Sequence, residues 1–192
     1  VIYIERPRRL FFEDLPGIRS SCITAIHEAP LSLTGKGVLL SIIDSGIDYM
    51  HPDFQNEDGS TRILALWDQT LTPDSSKNFL PPPGYTLGVL FTENQINAAI
   101  AAPTVQERAA FCPSFDSSGH GTHVTGIAAG NGHVQIANRG VAYEASLLII
   151  KLGAPGPMGF PSTTQLMQAV DFSVRYAIDH QLPLSINLRF GN

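Results

Sequence analysis

Apolar residues are concentrated in short runs bounded by turn residues, at 38–43, 61–67, 145–152 and 183–190. The run at 145–152 is continuous (ASLLIIKL), and the first run ends abruptly at the carboxylate of Asp44. Continuous apolar runs are typical of strands that are buried on both faces of a parallel sheet. A weakly alternating, β-rich stretch at 1–5 predicts one more short strand, which Pro7 ends.

Helical patterns lie between these strands. The segments at 18–28 and 92–102 fit short helices, and small residues after His120 favour a tightly packed one. A capping-box pattern at 162–165 begins the clearest amphipathic helix, which we expect to cross the sheet in a purely structural role. Its predicted apolar stripe against the sheet is Leu166, Val170, Val174, Ala177 and Ile178. Strands that alternate with helices predict an α/β fold, a doubly wound and mostly parallel sheet with helices on both faces, incomplete within this chain.

Two motifs place reactive side chains at the ends of predicted elements. Asp44 lies at the carboxyl end of a buried strand, where open α/β sheets place their sites. His120 lies between two glycines at the start of a helix, so its imidazole is open to a substrate. Histidine is neutral near pH 7, and a carboxylate that accepts from Nδ1 holds it in one tautomer. Asp44 and His120 therefore predict half of a hydrolytic triad, on condition that they meet in the fold.

These motifs, IIDSGIDYMHPDF at 42–54 and SSGHGTHVTGIAAG at 117–130, closely resemble the aspartate and histidine signatures of the subtilisin-like serine proteases, the subtilases. The resemblance implies a serine endopeptidase with Asp44 as triad aspartate and His120 as general base, in the chain order of the subtilisin triad. No Gly-Thr-Ser nucleophile segment occurs before Asn192. We therefore expect an N-terminal portion of the domain, cut from a longer chain and inactive without its C-terminal remainder, which carries the serine and the oxyanion-hole asparagine.

Two other classes of function stay open at this point. A non-catalytic pseudoprotease would use the subtilase shape to hold another protein in its groove, although such a module has no chemical reason to keep Asp44 and His120. A metal-dependent hydrolase would rest on His120 and His123. The HExxH pattern of metalloproteases has a spacing of four and a glutamate, and this segment has neither. We expect no metal there.

The segment between the two motifs is long. Asp44 and His120 are 76 residues apart (120 − 44), and residues 70–116 are rich in Pro, Ser, Gly and Asn. Since structureless loops beyond about 12–15 residues are usually functional or disordered, we expect a mostly irregular insertion on the rim of the cleft. Together with the segment TRILALWDQ and the lead-in YIERPRRLFF, it resembles the Csp-type subtilases of spore germination. Residues 1–15 are expected to be the end of a propeptide or an edge strand, and residues 16–192 the catalytic-domain portion.

The resemblance also implies a substrate-binding segment. In subtilases the stretch that matches 187–191 pairs with substrate as an antiparallel strand, so substrate binding is expected at Leu188, Arg189, Phe190 and Gly191. Arg189 departs from the family pattern, in which a small serine is usual. Unless it points to solvent, Arg189 is expected to favour acidic or amide side chains at the residue before the cut.

Composition limits the partners. The net charge of −5 argues against nucleic acid, and no apolar run approaches the roughly 18 residues that a membrane span needs. The expected partners are a protein or peptide substrate and, as a further candidate, the protein's own propeptide. The location is unknown, with a secreted or spore-associated protein favoured.

Cysteines and carboxylates leave two further questions. Cys22 and Cys112 are expected to be free, buried thiols, although a disulfide stays open. Asp48 and Asp53 could bind calcium, and the resemblance places Asp53 at a position that ligates calcium in many subtilases. The stretch at 130–138 does not clearly match the loop that supplies the other ligands. We therefore expect neither calcium nor another cofactor.

Overall fold

In the computed structural model, which describes residues 21–152 and 163–188, a five-stranded sheet forms the centre of the protein. The strands are β1 (Leu39–Asp44), β2 (Ile63–Asp68), β3 (Val89–Thr92), β4 (Ser146–Lys151) and β5 (Leu184–Leu188). Their order across the sheet is β3-β2-β4-β1-β5, and all neighbours are parallel except β2 and β3. The predicted α/β fold with a mostly parallel sheet is confirmed. The strand predicted at 1–5 lies outside the described residues.

Helices cover both faces of this sheet. They are α1 (Ile23–His27), α2 (Glu93–Ala101), α3 (Val105–Phe111), α4 (His120–Ala129) and α5 (Thr163–Asp179). Single 3₁₀ turns occur at Pro52–Phe54, Ser75–Lys77 and Ile136–Asn138. Alternate residues of β1 face opposite sides, with Leu40 and Ile42 in the core beneath α4 and Leu39 and Ile43 in the core beneath α5. Burial on both faces is the physical reason why this strand is continuously apolar. Within the described residues, no helix is long and apolar enough to span a bilayer.

The segment at 70–116 is more ordered than its composition predicts. The helix expected near 92–102 is present as α2, but β3 and α3 were not predicted. β3 extends the sheet antiparallel to β2, and capping boxes at Thr92 and Thr104 begin α2 and α3. β3 has four residues and α3 has seven, so both are too short to show a clear period. The last residues of the segment, 112–116, return to the carboxyl edge of the sheet beside β1 and β4.

The predicted apolar stripe of α5 is confirmed at Leu166, Val170 and Ala177, which pack into the core, and is wrong at Val174 and Ile178. The buried residues are Ala169, Phe172, Ser173 and Ala177, whereas Val174 is 41% exposed and Ile178 is 68% exposed. Ser173 belongs to the buried face because its hydroxyl hydrogen-bonds Ser41 at 2.8 Å and donates to the carbonyl of Ala169. A stripe chosen from apolar residues alone omitted this serine and included Val174 and Ile178 in its place. The capping box predicted to start this helix lies partly outside the described residues.

The region before β1 also differs from expectation. The predicted helix spans residues 18–28, whereas α1 has only the five residues Ile23–His27 among the described part of the chain. None of these five residues is buried. Cys22, just before this helix, is exposed, whereas Cys112 is buried, and both thiols are free. The expectation of two buried thiols is wrong for Cys22, because the short helix beside it does not pack into the core.

Candidate active site

Asp44 and His120 meet at the carboxyl edge of the sheet. β1 ends at Asp44 and α4 begins at His120, and Asp44 Oδ1 lies 2.7 Å from His120 Nδ1. The carboxylate side chain is 4% exposed and the imidazole is 45% exposed. Because an ionised carboxylate only accepts hydrogen bonds, it places the hydrogen of the neutral ring on Nδ1 and leaves Nε2 as the proton acceptor. A buried acceptor and a half-exposed base thus form one hydrogen-bonded pair.

The turn after β1 fixes the carboxylate. The backbone N–H of Ser45 donates to Asp44 Oδ1 at 2.7 Å, so this oxygen accepts two hydrogen bonds. Asp44 Oδ2 has no hydrogen-bond partner among the described residues. Gly46 follows with a φ of 124°, a conformation that side chains other than glycine's rarely adopt. The chain can therefore turn sharply after Ser45 and leave Asp44 at the tip of the strand.

Asp116 holds the first turn of α4 in place. Its Oδ1 accepts from the Gly119 N–H and the Ser45 hydroxyl, and its Oδ2 accepts from both the N–H and the hydroxyl of Thr122, all at 2.7–3.0 Å. Burial alone would raise the pKa of Asp116, but the hydrogen bonds from Thr122, Ser45 and Gly119 together hold that pKa below its ordinary value. Sequence reasoning gave Asp116 no role. The signal available was a carboxylate placed just before a helix start.

Close backbone packing brings α4 to the turn after β1. A Cβ atom added at Gly121 would overlap the carbonyl oxygen of Gly46 and lie 3.0 Å from its nitrogen. The Gly121 N–H also donates to the Ser45 hydroxyl at 2.9 Å. Glycine at 121 thus lets the helix approach closely enough for the imidazole to reach Asp44.

A buried ion pair connects the neighbouring strand ends to the segment before His120. Lys151 is the β4 partner of Asp44 across the sheet, and its Nζ lies 3.3 Å from Asp68 Oδ2 at the end of β2. The ammonium also donates to the carbonyl oxygen of Phe115 at 2.8 Å and lies 4.9 Å from the centroid of its ring. Ser114 donates its hydroxyl to Asp68 Oδ2 at 2.6 Å. These contacts, which sequence reasoning missed, fix residues 114–116 against the sheet edge.

Arg62 holds the opposite end of α4. Its buried guanidinium donates to the carbonyl oxygens of Asp53, Ala129 and Ala145 at 2.7–3.1 Å. Burial lowers the pKa of Arg62 to about 10, so the side chain still carries its charge at neutral pH. A cation at the C-terminal end of a helix also complements the helix dipole. Both ends of the helix that carries His120 are therefore anchored by charged side chains.

The remaining predicted site residues are only partly described. Leu188 ends β5 beside Ile43 of β1 and is 46% exposed. Arg189, Phe190 and Gly191 lie outside the described residues, so their substrate-binding roles stay predictions. His123 is partly buried in the same helix as His120. No group of three or more His, Cys, Asp or Glu residues able to hold a metal occurs within residues 21–152 and 163–188.

The carboxylates considered for calcium are engaged by N–H donors. Asp53 is buried and its Oδ1 accepts from the Val134 N–H at 2.9 Å, while Asp48 Oδ1 accepts from the Met50 N–H at 3.1 Å. Calcium requires six to eight oxygen ligands. Because Asp53 Oδ1 already accepts a hydrogen bond from the backbone, we assign it no role as a calcium ligand. The expectation that no cofactor is needed stays a prediction.

Comparison with known proteins agrees with this geometry. The model of the subtilase family of peptidases matches residues 35–179. The minor extracellular protease Vpr of Bacillus subtilis is 30% identical over 162 residues, which are 84% of this chain and 15% of that protein. Subtilisin-like protease SBT1.9 of Arabidopsis thaliana is 31% identical over 174 residues, 83% of this chain and 22% of that protein.

A solved structure shows the same fold. The CspB protease of Clostridium perfringens superposes with a TM-score of 0.76 at 31% identity, over 92% of this chain and 34% of that one. The chain thus spans 15% to 34% of the length of these relatives, and its similarity includes a Csp-type protease. Sequence motifs, fold and family match agree: the chain belongs to the subtilase family.

Proposed function

We propose that this chain is part of a serine endopeptidase of the subtilisin type, to which it contributes Asp44 and His120. The proposal rests on one observation above all, the 2.7 Å contact between a buried carboxylate and Nδ1 of a half-exposed imidazole. That arrangement is what a serine nucleophile needs from its base: a fixed tautomer with a basic Nε2. The nucleophilic serine and the oxyanion-hole asparagine are proposed to lie on sequence outside this chain.

In the proposed reaction, His120 accepts one proton and then donates it in each half of the catalytic cycle. Nε2 takes the hydroxyl proton as the serine oxygen bonds to the scissile carbonyl carbon, and it then gives that proton to the leaving amine as the C–N bond breaks. In the second half, Nε2 takes a proton from water as the water oxygen bonds to the acyl carbon. It then returns that proton to the serine oxygen as the acyl–serine bond breaks. Asp44 stays ionised and stabilises the imidazolium, and its anchored strand keeps the ring oriented throughout.

The 192-residue chain is expected to be inactive alone. Loss of the nucleophile of such a triad costs on the order of 10⁶ in kcat. The experiment therefore uses the full-length protein, with reaction of a fluorophosphonate probe followed by intact mass. We expect one covalent adduct per molecule on a serine outside residues 1–192, together with cleavage of peptide substrates.

Variants of the pair sharpen this test. His120→Ala should lower kcat by about 10⁶ and Asp44→Asn by about 10⁴, because the amide leaves the ring in the wrong tautomer. His180→Ala is the matched control, since His180 is an exposed histidine in the turn just after α5. A folded full-length protein that takes no label and cleaves no peptide would refute the proposal and favour the non-catalytic binding module.

Similarity to the CspB protease supports a Csp-type assignment, and with it we propose a role in spore germination and a secreted or spore-associated location. The substrate class is protein or peptide, as for the family. Germination of spores after replacement of His120 by alanine in the host measures this role. Unchanged germination would refute the role in spore germination without contradicting the proposed peptidase chemistry.

A further inference from the structure

An apolar groove lies beside the candidate active site, and its walls are the two chain segments that lead to and from the catalytic pair. One wall, residues 47–50, begins three residues after Asp44. The other consists of Val105, Arg108 and Ala109 of α3 together with residues 112–116, which end four residues before His120. The groove has a volume of about 350 Å³. Its apolar lining includes Ile47, Met50, Val105, Ala109, Cys112 and Phe115.

Phe115 combines an exposed aromatic side chain with a backbone that is fixed by hydrogen bonds. Its side chain is 64% exposed, yet its backbone is held on both sides. Ser114 is buried and bonded to Asp68, Asp116 is bonded to the start of α4, and Lys151 binds the Phe115 carbonyl. The neighbouring residues therefore fix the backbone that carries the ring, and the Lys151 ammonium lies 4.9 Å from the ring centroid. A contact surface fixed in this way loses little entropy when a ligand binds.

The charges around the groove limit what it can accept. Asp48 and Asp116 line its rim, so a carboxylate entering there would meet two like charges. The ammonium of Lys151 does not offset them, because it is already paired with Asp68 and largely buried. Arg108 lies on the α3 side and its Nε donates to the Ala102 carbonyl. The groove is thus suited to an uncharged apolar side chain.

We infer that this groove is a specificity site, in which Phe115 receives an aliphatic or aromatic side chain of the polypeptide substrate. The inference rests on the proposed peptidase function and names a substrate class for it. Its position beside the candidate active site selects the occupant: Asp116 on the groove rim accepts hydrogen bonds from Ser45, which follows Asp44, and from Gly119, which precedes His120.

The test measures kcat/KM of the full-length protein on a peptide series in which leucine, alanine or glutamate is placed at each position around the scissile bond. We expect one position at which leucine exceeds alanine by about 10-fold or more and glutamate is poorest. Phe115→Ala should reduce the leucine-to-alanine ratio at that position about 10-fold. Phe111→Ala, the same change at an exposed phenylalanine outside the groove, should leave the ratio unchanged.

A second variant changes the groove without altering Phe115. Ala109→Phe fills the groove from an exposed helix position, so the same ratio should fall without removal of Phe115. An unchanged ratio in both variants, with wild-type peptide cleavage intact, would overturn the inference and leave the proposed function standing. A lower thermal midpoint of unfolding in the two variants, with an unchanged leucine-to-alanine ratio, would also overturn the inference. The groove would then be covered by another part of the protein rather than by substrate. A wild-type protein without probe labelling or cleavage would refute the peptidase proposal itself.

Discussion

Alanine at Gly121 is the sharpest test of how His120 reaches Asp44. In the structure, the backbone of α4 lies directly on the turn after β1, and a Cβ at 121 would overlap the Gly46 carbonyl oxygen. The obstacle is backbone rather than a flexible side chain, so the neighbour cannot rotate away. The first turn of α4 must therefore move, and His120 is the residue next to the substitution.

The required displacement sets the size of the effect. To restore ordinary van der Waals contact the helix must shift by about 1 Å, because the packed interior offers no free volume to absorb the methyl group. The bond between His120 and Asp44 would lengthen from 2.7 Å to the limit of hydrogen bonding. A misplacement of about 1 Å at a catalytic group costs on the order of 10² in rate. Overpacking should also lower the free energy of unfolding by about 1–3 kcal/mol.

Gly126→Ala is the matched control in the same helix. A Cβ at 126 meets nothing within 4 Å, so we expect wild-type activity and a gain of about 0.5–1 kcal/mol from the better helix propensity of alanine. The assay compares kcat/KM, the rate of fluorophosphonate labelling and the denaturation midpoint of both variants of the full-length protein. If Gly121→Ala matches Gly126→Ala in all three, the close packing of α4 on the β1 turn does not position His120.

Other parts of the site give separate predictions. Asp116→Asn should lower the free energy of unfolding at pH 7 by about 2 kcal/mol, since charge-assisted hydrogen bonds are lost. Because the folded-state pKa of Asp116 is lowered, this deficit should shrink as pH falls through that pKa, and urea titrations at neutral and acidic pH measure it. Arg62→Met should cost about 3 kcal/mol in chemical denaturation by leaving three buried carbonyls without their donor, whereas Arg62→Lys should recover part of the loss. Thiol titration of the folded chain should find Cys22 reactive and Cys112 protected until denaturant is added, because burial raises the pKa of Cys112 to about 12; equal reaction rates would contradict this.

The strands were accessible to sequence reasoning because their pattern is local. β1 and β4 are buried on both faces and read as continuous apolar runs, and each was predicted within one or two residues of its observed bounds. The short elements β3 and α3 were missed because four or seven residues cannot establish a period. The buried face of α5 was predicted only in part, because Ser173 is buried through a hydrogen bond to Ser41, which its own sequence neighbourhood does not reveal.

The sequence by itself determined the family and the positions of the candidate pair, because Asp44 ends an apolar run and His120 lies in a glycine-flanked motif. Only the tertiary structure decided that the two side chains meet at 2.7 Å, that Lys151 binds both Asp68 and Phe115, and that Arg62 anchors the far end of α4. The physical reason is one of range. Strand and helix patterns arise from interactions between near neighbours in the chain, whereas these contacts join residues that are 36 to 83 positions apart and exist only once the sheet and helices have packed.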